Sequence, residues 1–342
     1  EWSLEDCILY ALQNNIQLKQ QEITTEYKNS TLQLSKLSLL PSLNGYASQD
    51  FNYGRHQVID EGTGIPKYVT TNSTYFNYGA NSNVTIFSGL TNYNTIKKNQ
   101  FSLLSSQQDL EALKDNISLN IAVAYLQVLL DKELVNATSA QADLTKQQIE
   151  RTNKLVEAGS VAKGNLLDIE AQAASEDLQL TNLQNNLNIA YLTLAQMLEL
   201  ENTENFSIII PNIEVDPVAI EGDPRSIYSI AEKDRPEILS AEYLLKESES
   251  ELAIAKGGRS PSLSMSGSYG SYSQNTEYFK ASFRDELKNH YTYGFGLTLN
   301  IPIFNGWKVN KGIQNAKMGI NYSEYALEAT KKTLYKNIAQ AF

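Results

Sequence analysis

The chain has 342 residues, 42% of them hydrophobic, and a formal net charge of −11. That is apolar material for a sizeable core in about two domains, while the acidic balance excludes the basic face that nucleic-acid binding needs. There is no run of about 18 apolar residues, which excludes a transmembrane helix but not a membrane β-barrel, whose strands leave no such run.

The chain opens at Glu1 without a charged segment and an apolar h-region, so any signal peptide is read as already removed. A helix is expected over 1–40, ending before Pro41. Cys7 lies inside its pattern and reads as a small buried hydrophobe, not a lipid anchor; a single cysteine allows no internal disulfide. A strand pair is expected over 41–89. Leu43, Ala47, Phe51 and Tyr53 mark its weaker member. In 76–86, Phe76, Tyr78, Ala80, Val84 and Ile86 alternate with Asn77, Gly79, Asn81, Asn83 and Thr85, and Ser82 alone breaks the period of two. Residues 54–74 between them, with His56, Gly62, Gly64 and Pro66, read as a long polar loop.

A coiled-coil hairpin is expected over 90–200. Between Thr91 and Leu200 there is no proline, and only Gly159 and Gly164 interrupt the pattern. The first arm, about 90–157, would be ~100 Å long at 1.5 Å per residue. Leu166, Ala173, Leu180, Leu187 and Leu194 keep a heptad in the second arm, with Leu183, Ala190 and Met197 beside it. In the first arm Leu103, Leu110, Ile117 and Ala124 step by seven, and the seam is then expected to shift to Leu130, Ala137 and Leu144. A linker with Pro211, Pro217, Gly222 and Pro224 follows over 201–224.

The remainder repeats the beginning. A helix is expected over 225–260, a strand pair over 261–306 and the start of a long helix over 307–342. Leu263, Met265, Gly267 and Tyr269 alternate with serines. Tyr291, Tyr293, Phe295, Leu297, Leu299, Ile301 and Ile303 alternate with small or polar residues, and Pro302 marks a strand end or bulge. The stretch 273–290, with Glu277, Lys280, Arg284, Asp285 and His290, reads as a second polar loop. Pro41-Ser42-Leu43 recurs as Pro261-Ser262-Leu263 at a shift of 220, which also brings Asn15-Ile16 onto Arg235-Pro236. Ile86-Phe87-Ser88-Gly89 recurs as Ile303-Phe304-Asn305-Gly306 at a shift of 217. If the halves match, roughly 75 residues of a second hairpin are expected beyond Phe342.

Ten of the 20 tyrosines lie in the two strand windows, as expected of a membrane–water interface. The lipid-facing set expected is Phe76, Tyr78, Val84, Ile86, Leu263, Met265, Tyr269, Tyr293, Phe295, Leu297, Leu299 and Ile301. Four strands cannot close a barrel, and open edges are not tolerated in hydrocarbon. Chains must then share one barrel: two would give eight strands and a filled interior, three would give twelve and a pore.

The Trp2-to-Leu18 opening (WSLEDCILYALQNNIQL), the LPSL and SPSL helix-to-strand junctions, the IFSG and IFNG strand-to-helix junctions and the tip from Glu157 to Asp168 resemble the TolC-like outer-membrane efflux family, and the opening is most similar to Bacteroidetes members. The resemblance implies a mixed α and β membrane protein. Four strands per chain would enter a shared trimeric twelve-stranded barrel, and long helical hairpins would form a periplasmic tunnel. It implies an exit duct of a tripartite efflux or type I secretion system, a passive conduit for small molecules or proteins. Its implied partners are a homotrimer, outer-membrane lipid, a periplasmic adaptor and an inner-membrane pump of RND or ABC type, with no nucleic acid and no cofactor. The adaptor would dock at Ala158, Gly159, Ser160, Val161, Ala162, Lys163, Gly164 and Asn165. Some relatives carry an Asp after the tip that holds the entrance shut; here Asn165 takes that place, with Asp168 nearby. No catalytic or metal-ligating grouping appears, so the rival reading is a structural coiled-coil protein anchored in the outer membrane.

Overall fold

The structure, a computed structural model, describes residues 1–60, 62–201, 206–211, 223–276 and 281–342. Pro217, Gly222, Glu277 and Lys280 lie outside the described residues. In chain order the elements are α1 (Leu4–Asn14), α2 (Ile16–Leu37), β1 (Ser42–Ile59), β2 (Pro66–Ser88), α3 (Thr91–Glu157), α4 (Lys163–Met197), α5 (Pro224–Asp234), α6 (Pro236–Gly257), β3 (Ser262–Thr276), α7 (Phe283–Asn289), β4 (Thr292–Asn300) and α8 (Lys308–Ala341). No helix among the described residues is long and apolar enough to cross a membrane.

The chain forms two compact units. One comprises Glu1–Tyr27, Ser105–Ser240 and Thr330–Phe342; the other comprises Lys28–Leu104 and Ala241–Ala329. In the first, Cys7, Ala11 and Leu18 of α1 and α2 pack with Ile121, Tyr125 and Val128 of α3 and Leu194 of α4. Each leucine, isoleucine or valine among them contributes about 1.5–3 kcal/mol on leaving water. Burial, and secondarily the Asp6 carboxylate, push the Cys7 thiol up to about 11. Trp2 pairs its backbone with Ser207 and Ile209, both at 2.9 Å, and the Tyr125 hydroxyl donates toward the carbonyls of Ile209 and Trp2.

The single helix expected over 1–40 is two helices, and so is its counterpart expected over 225–260. Different chemistry makes the same break. The Asn15 side chain accepts from the backbone N–H groups of Gln17 and Leu18 at 2.9 and 3.3 Å, ending α1 and capping α2. In the second half Pro236 lacks a donor and holds Arg235 extended. Asn15 and Arg235 both sit at ψ 128°. The helix exits match too: Leu40 donates to Leu37 and Ser260 to Gly257, both at 2.9 Å. The strand-to-helix junctions carry consecutive left-handed residues, Gly89 and Leu90 in one repeat and Gly306 and Trp307 in the other.

The α3 seam differs from the expected one. It does not shift to Leu130, Ala137 and Leu144, all of which are exposed in the single chain. The heptad of Ile117 and Ala124 continues through Asp131, Thr138, Thr145 and Thr152, with Ile121, Val128, Val135, Ala142 and Ile149 beside it. Polar residues at core positions hid this continuation, because a search for apolar residues passes over them.

Tyr125 is 1% exposed. Tyr125→Phe keeps the ring and leaves the two carbonyls without their donor, so it is expected to lower stability by about 1–3 kcal/mol. Denaturant unfolding of the purified protein checks this; an unchanged midpoint would assign the fit to the ring alone.

Candidate functional site

The four strands form one antiparallel sheet in the order β1-β2-β3-β4. Residues in one rung share a face, so the register decides which side chains lie together. Leu263, Met265, Gly267 and Tyr269 of β3 pair with Leu299, Leu297, Phe295 and Tyr293 of β4. On β2, Val84 pairs with Met265, Ala80 with Tyr269 and Tyr78 with Ser271, and Phe76 lies one step further along. On β1, Leu43, Ala47 and Phe51 fall in rungs with Ser82, Tyr78 and Thr74, which continues the same face. The expected lipid-facing residues therefore lie together, with two exceptions. A bulge between Thr85 and Phe87 puts Phe87, not Ile86, opposite Leu263. An alternation count cannot register an extra residue in one strand. Ile301 lies beyond β4, which ends at Asn300 ahead of Pro302, a residue without a ladder donor.

The opposite face carries Asn77, Asn81, Asn83, Ser264, Ser266, Ser268, Thr298 and Asn300. In one of its rungs Tyr46 stands opposite Gly79, which stands opposite Gly270. A Cβ at Gly79 would meet the Tyr46 hydroxyl at 2.7 Å, so the ring lies across the glycine. The sheet thus has one face of bulky apolar groups and one of small polar groups. Nine residues in β4 match the 9–11 that a tilted strand needs to cross a bilayer. Phe295 is 89% exposed on the apolar face.

Both expected loops are largely structured. β1 and β2 run on to Ile59 and Pro66, so most of 54–74, including His56, is strand. The connection is short: the Asp60 carboxylate accepts from the N–H groups of Gly62 and Thr63 at 3.1 and 3.2 Å and pairs with Lys67 at 2.7 Å. Within 273–290, β3 continues to Thr276 and α7 follows. The signal for α7 was Ser282 before Phe283 and Leu287 at an i,i+4 spacing, with Asp285 and Glu286 in the first turn. Phe283 meets Phe76 at 5.2 Å, and the Ser271 hydroxyl donates to the Leu287 carbonyl at 2.6 Å. His290 is not a solvated loop residue: it stacks on Tyr272 at 4.6 Å, within 3.1 Å of the buried Glu286.

At the hairpin tip, α3 ends in a Schellman turn. Gly159 takes φ +71°, Ser160 donates to Leu155 and Gly159 to Val156, both at 2.9 Å. Gly164 makes no turn; it lies in the first turn of α4, for which Ala162 is the N-cap. Ala158, Ser160, Ala162, Lys163, Asn165 and Asp168 are exposed, and Val161 is half-buried.

A sheet with one apolar and one polar face, in a chain that also builds a coiled-coil hairpin from a 67-residue and a 35-residue helix, defines a membrane protein with both a β-sheet part and a long helical part. The chain belongs to the outer membrane efflux protein family, which it matches over residues 8–199 and 227–342. It is an outer-membrane protein with a periplasmic helical part. It is 23% identical over 282 residues to outer membrane protein TolC of Escherichia coli (strain K12), a match that covers 77% of this chain and 55% of that protein. The chain spans about half the length of the curated relatives it matches. Its fold is similar to that of the CmeC outer membrane channel of Campylobacter jejuni: TM-score 0.81, 21% identity, 96% of this chain and 68% of that one. It is also similar to CusC, with TM-score 0.84, 17% identity, 99% of this chain and 74% of that one.

The two faces predict opposite responses to charge. Leu299→Arg places a cation among the apolar groups, where mid-bilayer cost is ~2–4 kcal/mol; Thr298→Arg places it on the polar face. Membrane-inserted protein is expected to fall sharply for the first and little for the second. Equal insertion yields for the two variants would contradict this assignment of faces.

Proposed function

We propose that this chain is one subunit of a homotrimeric exit duct that conducts exported small molecules or proteins passively across the outer membrane. The observation that carries the reading is the four-stranded sheet with an apolar face and two open edges, β1 and β4. Unpaired N–H and C=O groups in hydrocarbon cost several kcal/mol each, so another copy must supply the missing ladder. Three copies give twelve strands, enough to leave a lumen lined by the small polar face.

The repeat supports the same conclusion. A Cβ at Gly89 would meet the Gly257 carbonyl and the Ser260 Cβ at 2.5 Å, while its counterpart Gly306 faces open space in the single chain. A neighbouring copy would complete that second junction. On α3, Leu119, Val123, Leu126, Leu130, Ala137 and Leu144 form an exposed heptad stripe, the pattern of a helix that has another helix to meet.

The hairpin tip is the proposed contact for a periplasmic adaptor that bridges to an inner-membrane pump of RND or ABC type, and Asn165 and Asp168 are the proposed entrance residues. Small exposed groups at Ser160 and Ala162 permit close approach of a second helical tip. The alternative, an anchored coiled-coil protein without transport, shares the sheet but predicts no conductance in a planar bilayer.

Native mass measurement in detergent is expected to give three chains per particle, and a stable monomer would remove the shared barrel. For docking, Ala162→Asp is informative because Asp is a better N-cap than Ala by about 0.5–2 kcal/mol. The hairpin should fold at least as well, while an unpartnered carboxylate enters the proposed contact. Adaptor capture and efflux are expected to drop; undiminished pull-down would move docking elsewhere.

A further inference from the structure

The helix α7 carries two cations that the duct does not use. Arg284 and Lys288 are four residues apart and lie on one side of the helix. They line a cavity of about 500 Å³ with Tyr78, Tyr269, Tyr291 and Phe283. Tyr78 and Tyr269 belong to the apolar face of the sheet, and Tyr269 pairs with Tyr293 one rung short of the last β3–β4 rung, Gly270 with Thr292. The cavity therefore opens on the apolar face, at the rim of the sheet where β4 begins, opposite the rim from which α8 leaves.

The support of α7 leaves these cations free. Phe283 rests on Phe76, and Leu287 is held by the Ser271 hydroxyl. Glu286 is buried and turned to the sheet edge, where it accepts from the Gln274 N–H at 3.4 Å and lies beside His290. Among the described residues neither Arg284 nor Lys288 forms an ion pair. Tyrosines belong at the headgroup level, with rings toward the acyl chains and hydroxyls toward water. Two unpaired cations directly beside such tyrosines match an anionic headgroup in charge and in depth.

We infer that this cavity binds the phosphate-bearing headgroup of a lipid in the outer leaflet of the outer membrane. The Arg284 guanidinium can hold two phosphate oxygens at once, and Lys288 adds a second charge. The tyrosine and Phe283 rings would lie along the first acyl carbons. A membrane lipid and not a dissolved phosphate is the ligand, because the cavity is lined by Tyr78 and Tyr269 of the apolar face together with Phe283 and Tyr291. The inference rests on the outward facing of the apolar side proposed above.

The test uses the full chain in phosphatidylcholine nanodiscs. The discs contain no added glycolipid, lipid A with both phosphates, or lipid A with the phosphates removed, and retained lipid is counted by native mass spectrometry. The phosphorylated lipid is expected to be retained. Replacing both cations (Arg284→Gln with Lys288→Gln) should weaken its retention by about tenfold or more, as loss of charge-assisted bonds implies. The phosphate-free lipid should be held equally weakly by both proteins, and excess inorganic phosphate should not displace the bound lipid. Retention unaffected by the double substitution, equal retention of phosphate-free lipid, or displacement by inorganic phosphate would each overturn the site. Entry into plain phosphatidylcholine discs is scored separately. A chain that fails to enter them contradicts the membrane reading itself, whereas a chain that enters and retains no phosphorylated lipid contradicts only this site.

Discussion

In hydrocarbon, every backbone donor and acceptor must find a partner inside the protein. This chain meets that demand only in part. β2 and β3 are paired on both sides over much of their length, and past Gly270 the helix α7 takes the lane that β4 has left. Glu286 reaches the Gln274 N–H there. The inner edges are thus covered by the chain's own residues. The edges left bare are β1 and β4, so this chain by itself meets the demand at its inner edges and leaves it unmet at its two outer ones. The length of β4 fits the same demand: it ends at Asn300, before the donorless Pro302, once it has enough residues to span the apolar layer.

The internal repeat shows which features the architecture requires and which are incidental. The break between α1 and α2 and that between α5 and α6 occur at matching positions, yet one is made by an amide side chain and the other by a proline. The requirement is an extended residue at that point, which Asn15 and Arg235 both supply. The left-handed pairs Gly89-Leu90 and Gly306-Trp307 repeat a turn of the backbone in both junctions. Leu90 and Trp307 adopt a conformation that costs a residue with a Cβ roughly 1–2 kcal/mol. That both halves accept this cost points to a fixed direction in which the helix must leave the strand.

Much of this was legible in the sequence, for physical reasons that also explain the misses. Alternation in β3 and β4 was clear because one face is bulky and the other is serine, glycine and threonine. The long helices were clear because nothing between Thr91 and Leu200 interrupts them except two glycines. The bulge at Ile86 was not legible, since an extra residue leaves composition unchanged and only shifts register. The outer halves of β1 and β2 were missed because outside the lipid both faces of a strand can be polar, and the period-two signal vanishes. Helix α7, at seven residues, is shorter than the window in which periodicity can be judged. Gly164 interrupts the helical pattern in the sequence just as Gly159 does, because a glycine in the first helical turn leaves the same trace as one beyond a helix end.

The hairpin itself is built unevenly. Close to α1 its seam is Ile117, Ile121 and Val128 against Leu187 and Leu194. Toward the tip the α3 seam becomes Asp131, Thr138, Thr145 and Thr152, and the leucines of that stretch, such as Leu144, face outward in the single chain. Ion pairs across this distal part, such as Lys146 with Asp177 at 4.0 Å, are exposed and contribute little. Polar seam positions hold the register of two helices while giving up much of the apolar attraction between them. The proximal half is therefore anchored by a dry core, and the distal half by buried threonines interleaved with smaller apolar contacts such as Ala142 and Leu166. Two helices joined in this way can repack near the tip without disturbing the core around Tyr125. Looser packing toward the tip and a dry core around Tyr125 then follow from where along α3 the heptad seam of Ile117 and Ala124 turns to Asp131 and the threonines.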